Sequence, residues 1–174
     1  MRNSSFEMKI RHFQPAFVAP GGLDVKIDVP TFGEVTVDVA YGGMWYCIVD
    51  AASIGLELTP AHGKEICRLG EMIKVACREQ FPVNHPEFEY PGCDILVFRG
   101  TPTPGSGATA KNAVVMSNGV LDWERPETWT AMIDRSPCGT VGTLVLRGAL
   151  LIRDPPQLDF LWSLIFSAGF REIA

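Results

Sequence analysis

The first part of the chain alternates apolar and polar side chains with a period of two, which predicts β-strands. Val25–Val29 and Val35–Val39 both show this pattern, on either side of a turn at Gly33. They therefore predict a hairpin. Phe6–Val18 alternates more loosely, and Met44–Val49 is rich in aromatic and β-branched residues. Together these runs predict an antiparallel meander.

The clearest helical pattern covers Pro60–Phe81. Apolar residues recur there at spacings of three and four, which places them on one side of a helix: Ile66, Leu69, Ile73, Ala76 and Cys77. The charged residues fall on the other side: Lys64, Arg68, Glu71, Lys74 and Arg78. Thr59 is a suitable N-cap, since proline at the first helical position follows it. We expect this helix to lie across the meander and bury its apolar side.

The remaining elements are shorter. Ile95–Phe98 and Ala113–Met116 predict two apolar strands, separated by the Pro/Gly-rich loop Gly100–Gly107. Trp129–Ile133 predicts a last short strand that ends at Asp134, and a final helix follows. Strands, a helix, more strands and a helix indicate the α+β class.

Composition excludes several classes of function. The net charge is −5 and the 15 basic residues are scattered, so we predict no nucleic-acid partner. The apolar run Leu158–Phe170 contains Asp159 and is too short to cross a bilayer, so we predict no membrane partner. No apolar core follows Met1 as in a signal peptide, and we expect a cytoplasmic protein.

The chain has five cysteines, an odd number without a Cys-x-x-Cys pair, which favours neither a disulfide framework nor a zinc ribbon. The three histidines do not cluster with them, and we predict no metal site. Four of the cysteines read as small buried hydrophobes: Cys47, Cys67, Cys77 and Cys93.

The segment Asp134–Thr140 carries the most chemistry. A strand, a Ser-Pro turn and a helix would put Cys138 at a helix N-terminus, where backbone N–H groups and the helix dipole favour the thiolate. The N–H groups of Gly139 and Thr140 are suited to receive a carboxylate, and Asp134 is suited to an ammonium group. These groups together fit an α-amino acid. The residues alone leave open whether Cys138 is reactive or a buried hydrophobe.

Several motifs resemble the proline racemase family, which includes hydroxyproline epimerases and trans-3-hydroxyproline dehydratases. The resemblance is most specific at Asp-Arg-Ser-Pro-Cys-Gly-Thr. Its other parts are spread over the chain: Val35–Gly43, Tyr46, Val49–Ala51, Asn84–Pro86 and Asn112–Met116.

The resemblance implies a fold similar to that of diaminopimelate epimerase. Such proteins have two similar halves, each a sheet wrapped around a central helix, with one cysteine from each half on opposite faces of the substrate. This chain would form one half, with an antiparallel sheet around its helix. By the same resemblance, Cys138 would be an acid/base, Asp134 would contact the substrate nitrogen, and Gly139 and Thr140 would hold its carboxylate. No cofactor is implied.

Two features depart from the family pattern. The first cysteine motif, Met-Cys-Gly-His, does not occur in the sequence, and Val141 interrupts the expected Cys-Gly-Thr-Gly-Thr. We therefore interpret residues 1–143 as the second half of the family fold. Residues 144–174 are interpreted as a divergent apolar tail, produced by a frameshift or a truncation.

The leading functional prediction is an amino-acid racemase or epimerase that acts on proline or hydroxyproline by proton transfer at the α-carbon. A trans-3-hydroxy-L-proline dehydratase is the alternative within the family, and a non-catalytic fragment is the alternative outside it. We also expect a homodimer, because an isolated half would expose apolar surface.

Overall fold

The computed structural model is a mixed β-sheet with one long helix against it. It describes residues 17–87, 89, 92–102, 104–105, 111–116, 123–124 and 131–134. The strands are β1 (Phe17–Val18), β2 (Val25–Val29), β3 (Gly33–Tyr41), β4 (Trp45–Asp50), β5 (Ile95–Gly100), β6 (Lys111–Met116) and β7 (Met132–Ile133). The helices are two 3₁₀ turns, Ala51–Ile54 and Pro60–His62, and the α-helix α1 (Gly63–Gln80).

The predicted hairpin and meander are confirmed. β2 pairs with β3 in antiparallel register, from Val25 opposite Val37 to Val29 opposite Gly33. β3 pairs in turn with β4, also antiparallel. β1 pairs with the C-terminal end of β3 and β2 with its N-terminal end, so the two short strands lie one after the other along β3.

One pair of strands differs from the expected antiparallel sheet. β4 and β5 run parallel, from Tyr46 opposite Ile95 to Asp50 opposite Arg99. The physical reason is the connection: α1 lies between the two strands in sequence and carries the chain back to the end at which β4 began. The sheet is therefore mixed, while the α+β class is confirmed.

The sheet continues through β6 and β7, both added in antiparallel fashion. Its neighbours follow the order β1-β3-β4-β5-β6-β7 in the described part of the chain. One inward row of side chains crosses the sheet, from Val39 through Cys47, Leu96 and Val115 to Ile133.

The inward side of the sheet packs on α1, which contacts β2, β5, β6 and β7. The apolar side of the helix is buried as predicted. Gly70 allows close approach at the centre, because a Cβ there would stand 2.6 Å from Cγ2 of Val115. A second apolar cluster lies on the outward side of the sheet: Ala40, Tyr46, Ile48, Ile95, Val97 and Val114.

Two residues on the predicted charged side of α1 are buried. Glu71 and Lys74 are 0% and 1% exposed, and Lys74 Nζ lies 2.8 Å from Glu71 Oε2. Burial costs each charge its hydration, and the ion pair offsets part of that cost. The three-residue spacing that suggested a solvated face also places the two charges in contact.

The start of the helical region is confirmed, with one difference. Pro60–His62 forms a 3₁₀ turn before α1, and Thr59 stands at its N-cap without a side-chain bond to the backbone. Its hydroxyl instead lies 2.7 Å from Nδ1 of His62. Among the described residues, no helix has the length and apolar character needed to cross a membrane.

Candidate active site

Asp134 is the predicted site residue that the structure describes. It follows β7 directly, and its backbone N–H donates to the carbonyl oxygen of Val114 at 2.9 Å. This bond extends the β6–β7 pairing by one residue and holds the backbone of Asp134 in place. Asp134 is half-buried, which leaves it partly open to solvent. The sequence predicts a short strand that ends at Asp134, and this prediction is confirmed.

Cys67 lies beside the same strand end. It stands near the beginning of α1, is half-buried, and makes a hydrogen bond with the backbone of Ile133, the residue before Asp134. Burial raises the pKa of its thiol, and the bond to Ile133 opposes that rise. At neutral pH, Cys67 is therefore protonated, since its pKa lies above the ordinary value of 9.0.

The sequence interpretation missed this position, because it treated Cys67 as another buried hydrophobe. On a helical projection, Cys67 falls beside the charged residues, away from the main apolar stripe. That offset signals a side chain at the margin of the core. It does not identify the element opposite, which only the packing of α1 against β7 reveals.

The structure thus places Asp134 at a strand end, one residue beyond the backbone group that Cys67 contacts. A carboxylate is suited to bind an ammonium group, and a thiol is suited to give up or take a proton. Within the described ranges, no group of three His, Cys, Asp or Glu side chains could hold a metal ion. Cys138, Gly139 and Thr140 lie outside the described residues, so their roles stay predictions.

A second cluster, made of aromatic side chains, lies at the end of β3 on the inward side of the sheet. The ring centroids of Tyr41 and His85 are 4.5 Å apart, and Phe17 and Trp45 pack against Tyr41 at 5.3 Å each. His85 lies in the Asn-His-Pro motif that follows α1. Its ring is half-buried, and Nδ1 accepts the N–H of Glu87 at 3.1 Å. The structure places His85 in aromatic packing.

This contact joins two of the motifs that carry the family resemblance. Tyr41 belongs to the strand motif before Gly42, and His85 belongs to Asn-His-Pro. The two motifs therefore pack against each other at the end of β3.

Comparison with known proteins agrees with the fold and with these motifs. The sequence model described as proline racemase matches residues 2–151. The chain belongs to the proline racemase family. The resemblance read from the motifs is thereby confirmed, and the match extends past residue 143, where the interpretation from motifs ended.

Two curated relatives represent two activities within the family. The chain is 33% identical over 165 residues to a 4-hydroxyproline 2-epimerase of Agrobacterium fabrum, with 91% of this chain and 43% of the relative covered. It is also 33% identical over 135 residues to the human trans-3-hydroxy-L-proline dehydratase, covering 64% of this chain and 37% of that protein.

A solved relative shares the fold. The structure of a hydroxyproline epimerase from Agrobacterium vitis, with bound trans-4-hydroxy-L-proline, superposes with a TM-score of 0.59 at 29% identity. The alignment covers 77% of this chain and 36% of that one. The chain therefore spans about two fifths of the length of the proline racemase relatives described here.

Proposed function

We propose that the chain contributes to a cofactor-independent racemase or epimerase that acts on proline or hydroxyproline. One thiolate removes the α-proton, and a thiol on the opposite face returns a proton. Cys138 is the acid/base that this chain supplies. Asp134 binds the substrate nitrogen, and the backbone N–H groups of Gly139 and Thr140 bind its carboxylate.

The observation that carries this proposal is the position of Asp134 within a chain of this family. Asp134 opens the segment with the family's cysteine motif, and its backbone is fixed by the bond to Val114. A half-buried carboxylate on a fixed stretch of backbone loses less entropy when it binds a substrate ammonium than one on a mobile backbone. The substrate class is supported by relatives whose names specify hydroxyproline.

Exchange of the α-proton tests the proposal directly. The protein is incubated in deuterated water with L-proline or trans-4-hydroxy-L-proline, and the Cα proton is followed by NMR. We expect the Cα signal to decay and the opposite configuration at Cα to accumulate. A folded protein that leaves the signal at the level of buffer would support the non-catalytic alternative.

Variants of the site separate its proposed roles. Cys138→Ser is expected to abolish exchange, because a hydroxyl is a far weaker acid than a thiol. Asp134→Asn is expected to raise KM more than it lowers kcat, since it removes the charge that pairs with the substrate nitrogen. Circular dichroism of each variant checks the fold. Retained exchange in Cys138→Ser would remove that residue from its proposed role.

The dehydratase is the second candidate, because the human relative carries that name. The distinguishing experiment offers trans-3-hydroxy-L-proline and follows the loss of one water from the substrate by mass spectrometry. Water loss without inversion at Cα would identify a dehydratase. Inversion of 4-hydroxyproline without water loss would support the epimerase.

We also propose that the chain forms a homodimer. Met116 and Met132 face each other across β6 and β7, are 37% and 56% exposed, and lie close to Asp134. This apolar surface suits a homodimer contact. Light scattering should give twice the monomer mass of 19.1 kDa, and Met132→Lys should lower it.

The domain division and the location stay proposals of the same kind. We propose residues 1–143 as the family domain and residues 144–174 as a divergent tail, in a cytoplasmic protein. Deletion of residues 144–174 tests the division. We expect α-proton exchange to survive the deletion, whereas its loss in a folded protein would assign the tail a part in the site.

A further inference from the structure

Three buried cysteines meet in the core, away from Asp134. Cys47 lies in the middle of β4, Cys77 in the last turn of α1, and Cys93 two residues before β5. Each is 0% exposed, and all are free thiols. The Cys77 side chain makes hydrogen bonds with those of Cys47 and Cys93. Three thiols from three elements are therefore in contact.

The cluster lies just beneath the surface. Nε and Nη2 of Arg78 donate to the carbonyl oxygen of Cys93 at 3.0 and 2.8 Å, and Nη2 also donates to Asp94 at 2.8 Å. The Arg78 side chain is 44% exposed. The partly exposed arginine thus covers the backbone of Cys93.

Cys93 lies outside the strands and helices of the described residues. The N–H of Gly92, the residue before it, donates to the carbonyl oxygen of Val83 at 3.0 Å. Cys47 differs, because it is paired with Val39 on one side and Leu96 on the other.

The three thiols differ in acidity. Hydrogen bonds from Cys47 and Cys93 lower the pKa of Cys77, and the charge of Arg78 adds to the effect. The pKa values of the two donors are raised, for Cys47 mainly by burial and for Cys93 mainly by its bond to Cys77. Cys77 has both of the other thiols as neighbours, so its thiolate can accept a hydrogen bond from each, and the thiolate is the nucleophilic form.

We propose that this cluster is an oxidation site at which Cys77 and Cys93 form a disulfide when the protein meets hydrogen peroxide. The Cys77 thiolate attacks one peroxide oxygen and breaks the O–O bond, which gives a sulfenic acid and hydroxide. The Cys93 sulfur then attacks the Cys77 sulfur, and the S–S bond forms as the sulfenic oxygen leaves as water. Two thiols and one peroxide yield one disulfide and two waters.

Cys93 is the partner, rather than Cys47, because a disulfide needs a specific dihedral angle and spacing. Cys93 lies outside the paired strands, whereas Cys47 is fixed on both sides within the sheet. The disulfide would join the end of α1 to the start of β5. This proposal does not depend on the proposed function, since it involves none of the site residues.

Peptide mapping tests the proposal, because trypsin places all five cysteines in different peptides. Cys77 falls in residues 75–78, Cys93 in 79–99 and Cys47 in 27–64, while Cys67 falls in 65–68 and Cys138 in 136–147. Native protein is treated with peroxide, unfolded in the presence of an alkylating reagent, digested without reduction and analysed by mass spectrometry. We expect peptide 75–78 linked to 79–99, lighter by two hydrogens than their sum.

Two variants sharpen the assignment. Cys47→Ser should retain the linked pair, whereas Cys93→Ser should remove it and leave a sulfenic acid on Cys77 that dimedone traps. The wild-type map stands without either variant, should one fail to fold. A link between peptides 27–64 and 75–78, or full alkylation of all three cysteines after peroxide treatment of the folded protein, would overturn the proposal.

Discussion

The side-chain amide of Gln80 is hydrogen-bonded to both backbone groups of Asp28. Its Oε1 accepts the N–H of Asp28 at 2.9 Å, and its Nε2 donates to the carbonyl oxygen at 2.6 Å. The last residue of α1 is thereby attached to the middle of β2. The two bonds take the place of a neighbouring strand at this part of the sheet, where β2 would otherwise leave these groups to water.

Gln80→Ala is expected to destabilise the protein by about 0.5–1.5 kcal/mol, because two partly solvated hydrogen bonds are lost. Urea unfolding followed by circular dichroism measures the change. Glu79→Ala, an exposed neighbour on the same turn, serves as the matched control and should change stability by less than about 0.5 kcal/mol. Equal effects of the two substitutions would show that the Gln80 bonds contribute nothing.

The buried ion pair of Glu71 and Lys74 gives a second prediction. Lys74→Met leaves the Glu71 carboxylate buried without its counter-ion, and we expect a loss of about 3–5 kcal/mol. The double variant Glu71→Leu/Lys74→Met removes both charges and should be more stable than Lys74→Met alone. Urea unfolding of the two single variants and of the double variant measures the interaction. Strictly additive effects of the two substitutions would contradict a direct interaction.

The close approach of α1 to β6 gives a third prediction. Gly70→Ala places a methyl group 2.6 Å from Val115 Cγ2, a clash that we expect to cost about 1–3 kcal/mol. The loss is expected although alanine is intrinsically the better helix former by about 1 kcal/mol. In a Val115→Ala background the same substitution should cost less, since the opposing branch is gone. Thermal unfolding of the four proteins completes the cycle.

The fourth prediction concerns pH. Nη2 of Arg68 lies 2.7 Å from Oε1 of Glu65, and this hydrogen bond lowers the pKa of the Glu65 carboxyl below its ordinary value of 4.5. Because the pKa is lower in the folded state, the contribution to stability is present above pH 4.5 and is lost as the pH falls through the lowered value. Carbon NMR of the Glu65 carboxyl should give a pKa nearer 4.5 in Arg68→Gln. An unchanged pKa would exclude Arg68 as the cause.

The strands and the helix could be predicted from the sequence because each pattern is local. Val25–Val29 and Val35–Val39 alternate within a single hairpin, so their periodicity already defines both their faces and their pairing. The pairing of β4 with β5 could not be predicted in the same way. Its direction depends on how α1 packs, and no residue of either strand encodes that.

The two buried charges show a different limit. Helical periodicity describes one side of α1 as apolar, and it treats every charge on the other side as solvated. Glu71 and Lys74 are spaced so that they neutralise each other, and a paired charge can be buried where a single one cannot.

The candidate site was predicted in part. A strand that ends at Asp134 follows from the apolar run before it, and the structure places Asp134 there, bonded to Val114. Cys67, which contacts the backbone of Ile133, is 67 residues away from Asp134 in sequence and belongs to another element. Proximity of this kind arises from the packing of α1 on β7, which a one-dimensional pattern does not contain.

The parallel pairing of β4 and β5 also bears on how the chain folds. The hairpin of β2 and β3 brings together residues that are close in sequence, so it can form quickly and by itself. Tyr46 and Ile95, in contrast, are joined only after the whole of α1 has closed a long loop between them. Such closure is slow, because the chain loses the entropy of the loop before it gains the favourable contacts between the two strands. We therefore expect the docking of β5 to limit the folding rate, with the meander already assembled.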